Sequence, residues 1–398
     1  MLKKVILFTL VLTLLVSPLV GCNSGGKDGG NDGGNDDGNG AATGEPIVIG
    51  AFGPLSGGAA MVGDTMMKGI ELAVKEYNDE GGINGRPIEL IKEDDEQNPA
   101  KAVSAVNKLV HSDNVLAVIG TVNSSATLAS MEVTQEAKIP QITPISSNTS
   151  ITHLGNPYIF RLQISDENQA GEITRYAINE LGFKRIGVMY QNDDFGTGGK
   201  DVVVQVLKDA GIEPIAVESF VPDAKDMTSQ LLKIQEGDPE AIIMWTMYQQ
   251  GALIARQVKQ LGMDIQLMGG GGLTNQKIIE LAGDAVYGLL NTQPFFPDES
   301  KASDKAAEFI ANYKEAYGIL PDSNAAMAYD SMLTLGEALK NCGDNVTSEE
   351  ITNQLKQIEG LAGVTGTINI DENGDTPRSV LIVKINDEGK YEVVDWGE

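Results

Sequence analysis

The sequence predicts an α/β fold built as two doubly wound parallel-sheet lobes. Three observations carry this. From Pro46 onward, short apolar runs of strand length alternate with amphipathic stretches of helix length, the pattern of a parallel sheet covered on both faces. The alternation restarts after Arg161, as a second lobe of the same type would require. The run Val115, Leu116, Ala117, Val118, Ile119 is apolar throughout, as a strand buried on both faces must be; Gly120 ends it, and Asn123, Ser124 and Ser125 precede a helix over 126–135. A strand, a small polar turn and a helix N-terminus make a ready anion pocket, because the first helical N–H groups have no internal partner and the helix dipole favours negative charge. Serine is also a preferred N-cap, and from this stretch alone the plainer reading of the two serines is a cap.

The chain opens with Lys3 and Lys4 and an apolar run over 5–16. That run is too short for a membrane span of about 20 residues and sits where a signal peptide does. Its end, Leu19-Val20-Gly21-Cys22, closely resembles the bacterial lipobox. The resemblance implies removal of residues 1–21, acylation of the Cys22 sulfur and new amino group, and a protein tethered by lipid outside the cytoplasm. Residues 23–45 are Gly, Asn and Asp almost throughout; they can bury no core, so 22–45 reads as a flexible tether. A calcium-binding β-roll would need many repeats with a regular apolar position, which are missing.

Residues 47–52 read as the first strand of the first lobe. A helix over 61–78 follows, with Met66, Ile70, Ala73, Val74 and Tyr77 on one face. Gly81-Gly82-Ile83-Asn84-Gly85 is a turn cluster, 88–92 a strand running into Glu93-Asp94-Asp95, and Pro99 starts a helix to about His111, with proline near its first position. The opening strand and helix come next, then a strand over 139–143 and the loop Pro144-Ile145-Ser146-Ser147-Asn148. In the second lobe, helices over 167–181, 197–210, 227–235 and 249–261 alternate with strands over 185–190, 215–220, 241–245 and 266–268, and four glycines, Gly269 to Gly272, follow. Three later helices cover 301–317, 324–341 and 348–358. Hairpin-like strands over 365–370, 379–385 and 391–396 turn at Asp371-Glu372-Asn373-Gly374 and Asn386-Asp387-Glu388-Gly389.

At 398 residues the chain has room for two or three domains of roughly 100–200 residues each. With 41% apolar residues and a mean hydropathy of −0.11 it can build ordinary cores. The net charge of −27, which becomes −29 once Lys3 and Lys4 are removed, argues against a nucleic-acid partner and reads as surface solubility. Cys22 and Cys342 are far apart and Cys22 has another use, so no disulfide is expected; with only His111 and His153, neither is a multi-histidine metal site. No cofactor is expected. No Gly-x-Ser-x-Gly elbow occurs and neither histidine lies in a triad motif. Gly198-Gly199-Lys200 is followed by Asp201, where a phosphate loop needs Ser or Thr, and the four-glycine run misses the dinucleotide fingerprint at Thr274. The acid pairs Asp94-Asp95 and Asp193-Asp194 read as solvated loops, because neighbours on a strand point to opposite faces. An enzyme is therefore not expected.

Taken together, these features resemble the branched-chain amino acid (leucine/isoleucine/valine) class of bacterial ABC-transporter substrate-binding proteins, over 46–396. The marks are Gly53-Pro54-Leu55-Ser56-Gly57, the turn cluster at 81–85, Asp94-Asp95 with Pro99, Gly120 with Ser124-Ser125, Ile142-Thr143-Pro144, Phe160-Arg161, Phe195-Gly196 and Tyr329-Asp330. Each is weak alone; in this order and spacing they are specific. The resemblance implies a type I periplasmic-binding-protein fold, two lobes joined by three crossings, here near Gln163, Gln293 and Thr367. Lobe one would be 46–163 plus 294–366, and lobe two 164–293 plus 367–398. It implies a small amino acid held between the lobes and passed to a membrane permease, with the protein a lipid-anchored monomer. Ser124 would clamp the ligand carboxylate through its hydroxyl and N–H, with Asn123 and Ser125 beside it. Ile145 would supply a carbonyl and Ser147 a hydroxyl, with Ser146 between them. Phe195 falls at a ligand-stacking position, Met247 or Tyr248 at another wall position, and Tyr329 lines the cleft.

The chain also departs from that pattern. Where leucine binders carry a glutamate that pairs with the ligand ammonium, this sequence has Gly271; Asp193, Asp194 and Asp330 are the candidates to replace it. A buried ammonium without a paired charge costs several kcal/mol before compensation. Val62 replaces a wall tyrosine, and Asn123 replaces one cysteine of a disulfide known in some members. A small carboxylate or amide without an ammonium group is the alternative ligand. A ligand-sensing receptor domain on the same fold is the alternative role.

Overall fold

The structure, a computed structural model, describes residues 44–397. The signal-like segment, Cys22 and nearly all of the tether lie outside the described residues. The first half runs β1 (Ile47–Gly53), α1 (Ala60–Asp79), β2 (Ile88–Asp94), α2 (Pro99–His111), β3 (Ala117–Ile119), α3 (Ser124–Ala137), β4 (Gln141–Thr143), the single turn α4 (Ser150–His153) and β5 (Ile159–Arg161). Its strands pair in parallel in the order β2-β1-β3-β4-β5.

The second half runs α5 (Asp166–Asn179), β6 (Ile186–Gln191), α6 (Asp194–Asp209), β7 (Val217–Phe220), α7 (Thr228–Gln235), β8 (Ala241–Trp245), α8 (Tyr248–Gln260), β9 (Gln266–Gly269), α9 (Gln276–Ala282) and β10 (Leu290–Gln293). The order β7-β6-β8-β9-β10 repeats that of the first sheet, strand for strand, and is again parallel. Then come α10 (Asp304–Tyr317), α11 (Ser323–Asn341), α12 (Ser348–Leu355), the short pair β11 (Leu361–Gly363) and β12 (Gly366–Ile368), and the hairpin β13 (Leu381–Ile385) and β14 (Tyr391–Asp395). That hairpin adds to β10 in antiparallel fashion, so the second sheet has seven strands, five of them parallel.

Local chemistry explains the better-read elements. In α2, Pro99 occupies the first turn, the Asn98 side chain accepts from the N–H groups of Ala100 (2.9 Å) and Lys101 (3.2 Å), and Ala102, Ala105, Val106, Leu109 and Val110 form the buried stripe. The helix spans 99–111, as its sequence predicts. In α1 the stripe Met66, Ile70, Ala73, Val74, Tyr77 is buried against α11. Gly69 permits that approach: a Cβ there would stand 2.2 Å from the carbonyl oxygen of Ala325. The Ser348 hydroxyl donates to the carbonyl of Leu116 at 2.8 Å, so α12 also belongs with the first sheet.

Three passages of chain join the two sheets. The first follows β5, where the Asp166 N–H donates to the carbonyl of Ser147 (2.7 Å). The second follows β10; Phe295 packs edge-on to Phe309 of α10, ring centres 6.1 Å apart. The third corrects the crossing expected at Thr367. Ile368 still pairs with β11, the Gly374 carbonyl accepts from Arg161 N–H (2.8 Å), and the Thr376 hydroxyl donates to the carbonyls of Arg161 and Leu162. The chain leaves the first lobe only between Thr376 and β13. Its turn at 371–375 is tied to β5 by a buried ion pair that the hairpin pattern does not reveal.

Candidate functional site

In a doubly wound sheet, the loops at the carboxyl ends of the strands diverge where the strand order reverses, which leaves a crevice. Here the two sheets present those ends to one another. Between them lies a cavity of about 40 Å³. From the first lobe it is lined by Val62, Gln97, Val122, Asn123, Ile145, Ser147 and Asn324, and from the second by Gln169, Phe195, Met247, Gly271, Gly272 and Thr274; Gln163 of the first passage completes it. One part of this wall is apolar, with Val62, Val122, Ile145, Phe195 and Met247. The remainder offers amides and hydroxyls. None of these lining side chains is ionisable.

The structure brings together Asn123, Ile145, Ser147, Phe195, Met247 and Gly271 of the residues picked out from the sequence. The others stand elsewhere. Helix α3 begins at Ser124, one turn or less ahead of the expected start, and its cap is Asn123, whose side chain accepts from the Ala126 N–H at 3.3 Å. Ser124 and Ser125 are thus inside the first turn and are not the cap. The Ser124 hydroxyl is buried and accepts from Asn148 N–H (3.4 Å), and that of Ser125 accepts from the Asp194 N–H across the lobes (3.3 Å). Their own N–H groups remain without intrahelical partners. Ser146 faces backwards, bonded to the Thr127 hydroxyl (2.6 Å) and donating to the Thr121 carbonyl (3.2 Å), because alternate residues of an extended loop point opposite ways.

Of Met247 and Tyr248, Met247 lines the cavity. Tyr248, the first residue of α8, is buried beneath it and donates its hydroxyl to the carbonyl of Gly58 at 3.4 Å, a contact between the lobes. Tyr329 does not line the cleft. Asn324, on the first turn of α11, does; five residues on, Tyr329 is rotated by about 140°. It packs on Phe309, ring centres 4.8 Å apart, and donates to Glu76 at 2.5 Å.

Nor does any candidate carboxylate replace a glutamate at Gly271. Asp193 caps α6 by accepting from Gly196 N–H (2.8 Å), and Asp194 is exposed. Asp330 is fully buried and spends both oxygens on Val364 N–H (2.8 Å), Thr365 N–H (2.9 Å) and the Thr365 hydroxyl (2.5 Å), which fastens β11 and β12 to α11. What meets Gly271 is Gln169: its Oε1 accepts from the Gly271 N–H at 3.0 Å, and a Cβ on Gly271 would lie 2.9 Å from that oxygen. A neutral amide from α5 thus occupies the space into which a side chain at 271 would project. The pair Asp94-Asp95 is likewise no solvated loop. Asp94 accepts from the N–H groups of Leu55 (2.9 Å) and Glu96 (2.9 Å), and buried Asp95 accepts from Gln97 N–H (2.8 Å) and from the Thr121 hydroxyl, shaping two cavity loops.

Gln97, Gln163, Gln169, Thr274 and Asn324 escape a reading of the sequence. They come from five separate loops and helix starts, and nothing in spacing marks them. Behind the cavity, Arg161 and Asp166 flank Ser147. Arg161 is wholly buried; it pairs with Asp375 and donates to the carbonyls of Ser147 (3.1 Å) and Asn148 (2.5 Å). Asp166 is also wholly buried. Its Oδ1 accepts from the indole N–H of Trp245 at 3.1 Å, while its Oδ2 has no partner among the described residues. Burial pushes its carboxyl up to about 7, against the opposing pulls of the Ser147 side chain and of Arg161. Trp245 in turn backs Phe195, ring centres 6.1 Å apart. No cluster of acidic, histidine or cysteine side chains suited to a metal ion occurs among the described residues, and none of their helices is long and apolar enough to cross a membrane.

A family model described as periplasmic binding protein matches residues 46–390. An amino acid binding protein of Pseudomonas aeruginosa is 30% identical over 348 residues, 87% of this chain and 91% of that one. A leucine binding protein from Thermotoga maritima superposes with a TM-score of 0.83 at 30% identity, covering 87% of this chain and 97% of its own. A branched-chain amino acid transporter substrate binding protein from Streptococcus pneumoniae, solved in complex with isoleucine, gives a TM-score of 0.81 at 29% identity, with 88% of this chain and 99% of that one covered.

Proposed function

The chain belongs to the periplasmic binding protein family, and from that premise we propose that it is the extracytoplasmic solute-binding component of an ABC importer, holding a branched-chain or similar small amino acid between its lobes for delivery to a membrane permease. It captures its solute and does not convert it. The observation that carries this is the cavity itself, closed between two sheets, apolar on one wall and hydrogen-bonding on the other. Relatives that bind leucine and isoleucine have the same fold and comparable length. The ligand carboxylate would sit at the N-terminus of α3, on the free N–H groups of Ser124 and Ser125 near Asn123. Ser147 would hydrogen bond the polar end, and Ile145, Phe195 and Met247 would hold the side chain. A ligand touching both lobes favours the closed form by its differential affinity, and closure is what a permease can read. Acylation at Cys22 would keep the protein at the membrane, and it would act as a monomer.

One observation favours a second ligand class. No lining side chain carries a charge, so nothing in the wall pairs with an ammonium. A small carboxylate or amide without that group would meet no unpaired charge. A thermal-shift screen against amino acids, amides and small carboxylates separates the two. A ligand at 100 times its Kd adds about 2.7 kcal/mol of stability, a rise of a few degrees in Tm. Leucine, isoleucine or valine should give such a rise. If only amine-free analogues do, the ligand is not an amino acid; if neither class does, the solute-binding role is wrong.

A further inference from the structure

We propose that Thr274 sets the longest apolar side chain the cavity accepts, by separating it from an unused apolar groove on the other side of the lobe seam; this rests on the solute-binding reading above. The groove measures about 560 Å³, and Met61, Phe296, Leu320 and Tyr391 contribute to its wall. It draws on both lobes and on the second passage between them. Among the described residues, Thr274 is the one that lines both spaces. On the first-lobe side of the seam, neighbours in sequence divide the work: Val62 faces the cavity and Met61 the groove, while Asn324 faces the cavity and Ser323 the groove. On the second lobe the two spaces meet at Thr274.

It is also rigid. Thr274 is 7% exposed, and its hydroxyl accepts from the amide of Asn291 at 2.5 Å; Asn291 is wholly buried in β10. A ligand chain long enough to reach Thr274 meets this wall and stops there. Removing the wall joins the small cavity to an apolar space more than ten times its volume.

Isothermal titration calorimetry on the purified protein tests this with two straight-chain series, L-2-aminobutyrate to L-2-aminooctanoate and the matching carboxylic acids without the amine. Each buried methylene is worth about a factor of four in affinity. The wild type should tighten along the series and then weaken at one chain length. Thr274→Gly should bind the longest members at least about tenfold more tightly than the wild type. Thr274→Ser keeps the hydroxyl for Asn291 and should move the limit by about one methylene, and Thr274→Val should leave the limit in place. A Thr274→Gly profile that follows the wild type, or a wild type that binds the longest member best, overturns the inference alone. Failure of both series to bind either protein overturns the solute-binding reading and this inference with it.

Discussion

Replacing Arg161 by methionine is expected to cost about 3–5 kcal/mol of folding stability, the usual effect of removing one partner from a buried ion pair. Arg161 has no exposed surface. Its Nε donates to Asp375 Oδ1 at 3.0 Å, Nη1 to the carbonyls of Ser147 and Asn148, and Nη2 to the Thr152 hydroxyl at 3.2 Å as well as to Asp375 Oδ2. The substitution strands the Asp375 carboxylate and takes one of two donors from each of the Ser147 and Asn148 carbonyls, which keep the N–H groups of Asp166 and Ile151. It also unties the 371–375 turn from the loop that carries Ile145 and Ser147 into the cavity, so ligand affinity should fall together with stability. Urea unfolding reads the first effect as a lower midpoint at unchanged slope. Adding Asp375→Leu should recover part of the loss, because the stranded charge goes with it. A loss below about 1 kcal/mol would place the pair at the level of a surface salt bridge and contradict its role as the clasp of the third passage.

The second large effect runs the other way. Asp166→Asn should stabilise the protein above neutral pH. The wild-type carboxyl is raised from 3.8 to about 7 by burial, so between about pH 4 and 7 the native state keeps a proton that the unfolded chain has released. Stability therefore falls as pH rises through that window and stays low above it. At about 1.4 kcal/mol per tenfold change in proton affinity, the displacement amounts to on the order of 4 kcal/mol. Asparagine keeps an oxygen for the Trp245 indole and removes the charge. The difference in Tm between variant and wild type should be large at pH 8 and close to nil at pH 4. A difference that does not change with pH would mean that Asp166 titrates as an ordinary carboxyl.

How much of this the sequence disclosed depends on the range of the interaction. The two sheets were legible because burial on both faces writes itself into uninterrupted apolar runs such as Val115 to Ile119, and helix α2 because Pro99 announces its start. The strand and helix alternation does not mark β5 and β10, although they are the strands from which the chain crosses between lobes. At the site, Asn123, Ile145, Ser147, Phe195, Met247 and Gly271 were within reach because a family resemblance pointed to their positions. Tyr329 misled because its place in the motif says nothing about which face of α11 meets α1. Gln169 was invisible: its part depends on the empty space at Gly271, a residue 102 positions away. The last crossing was misplaced because the Arg161–Asp375 clasp spans 214 residues and has no local trace.

The central claim is that one small solute is held by both lobes at once. Hydrogen–deuterium exchange with and without L-isoleucine tests it directly. The loops at 121–126 and 145–148 of the first lobe and at 193–197 and 270–276 of the second should gain protection together, while the outer faces of α2 and α7 stay unchanged. Protection confined to the loops of a single lobe, or absent from all four, would contradict it.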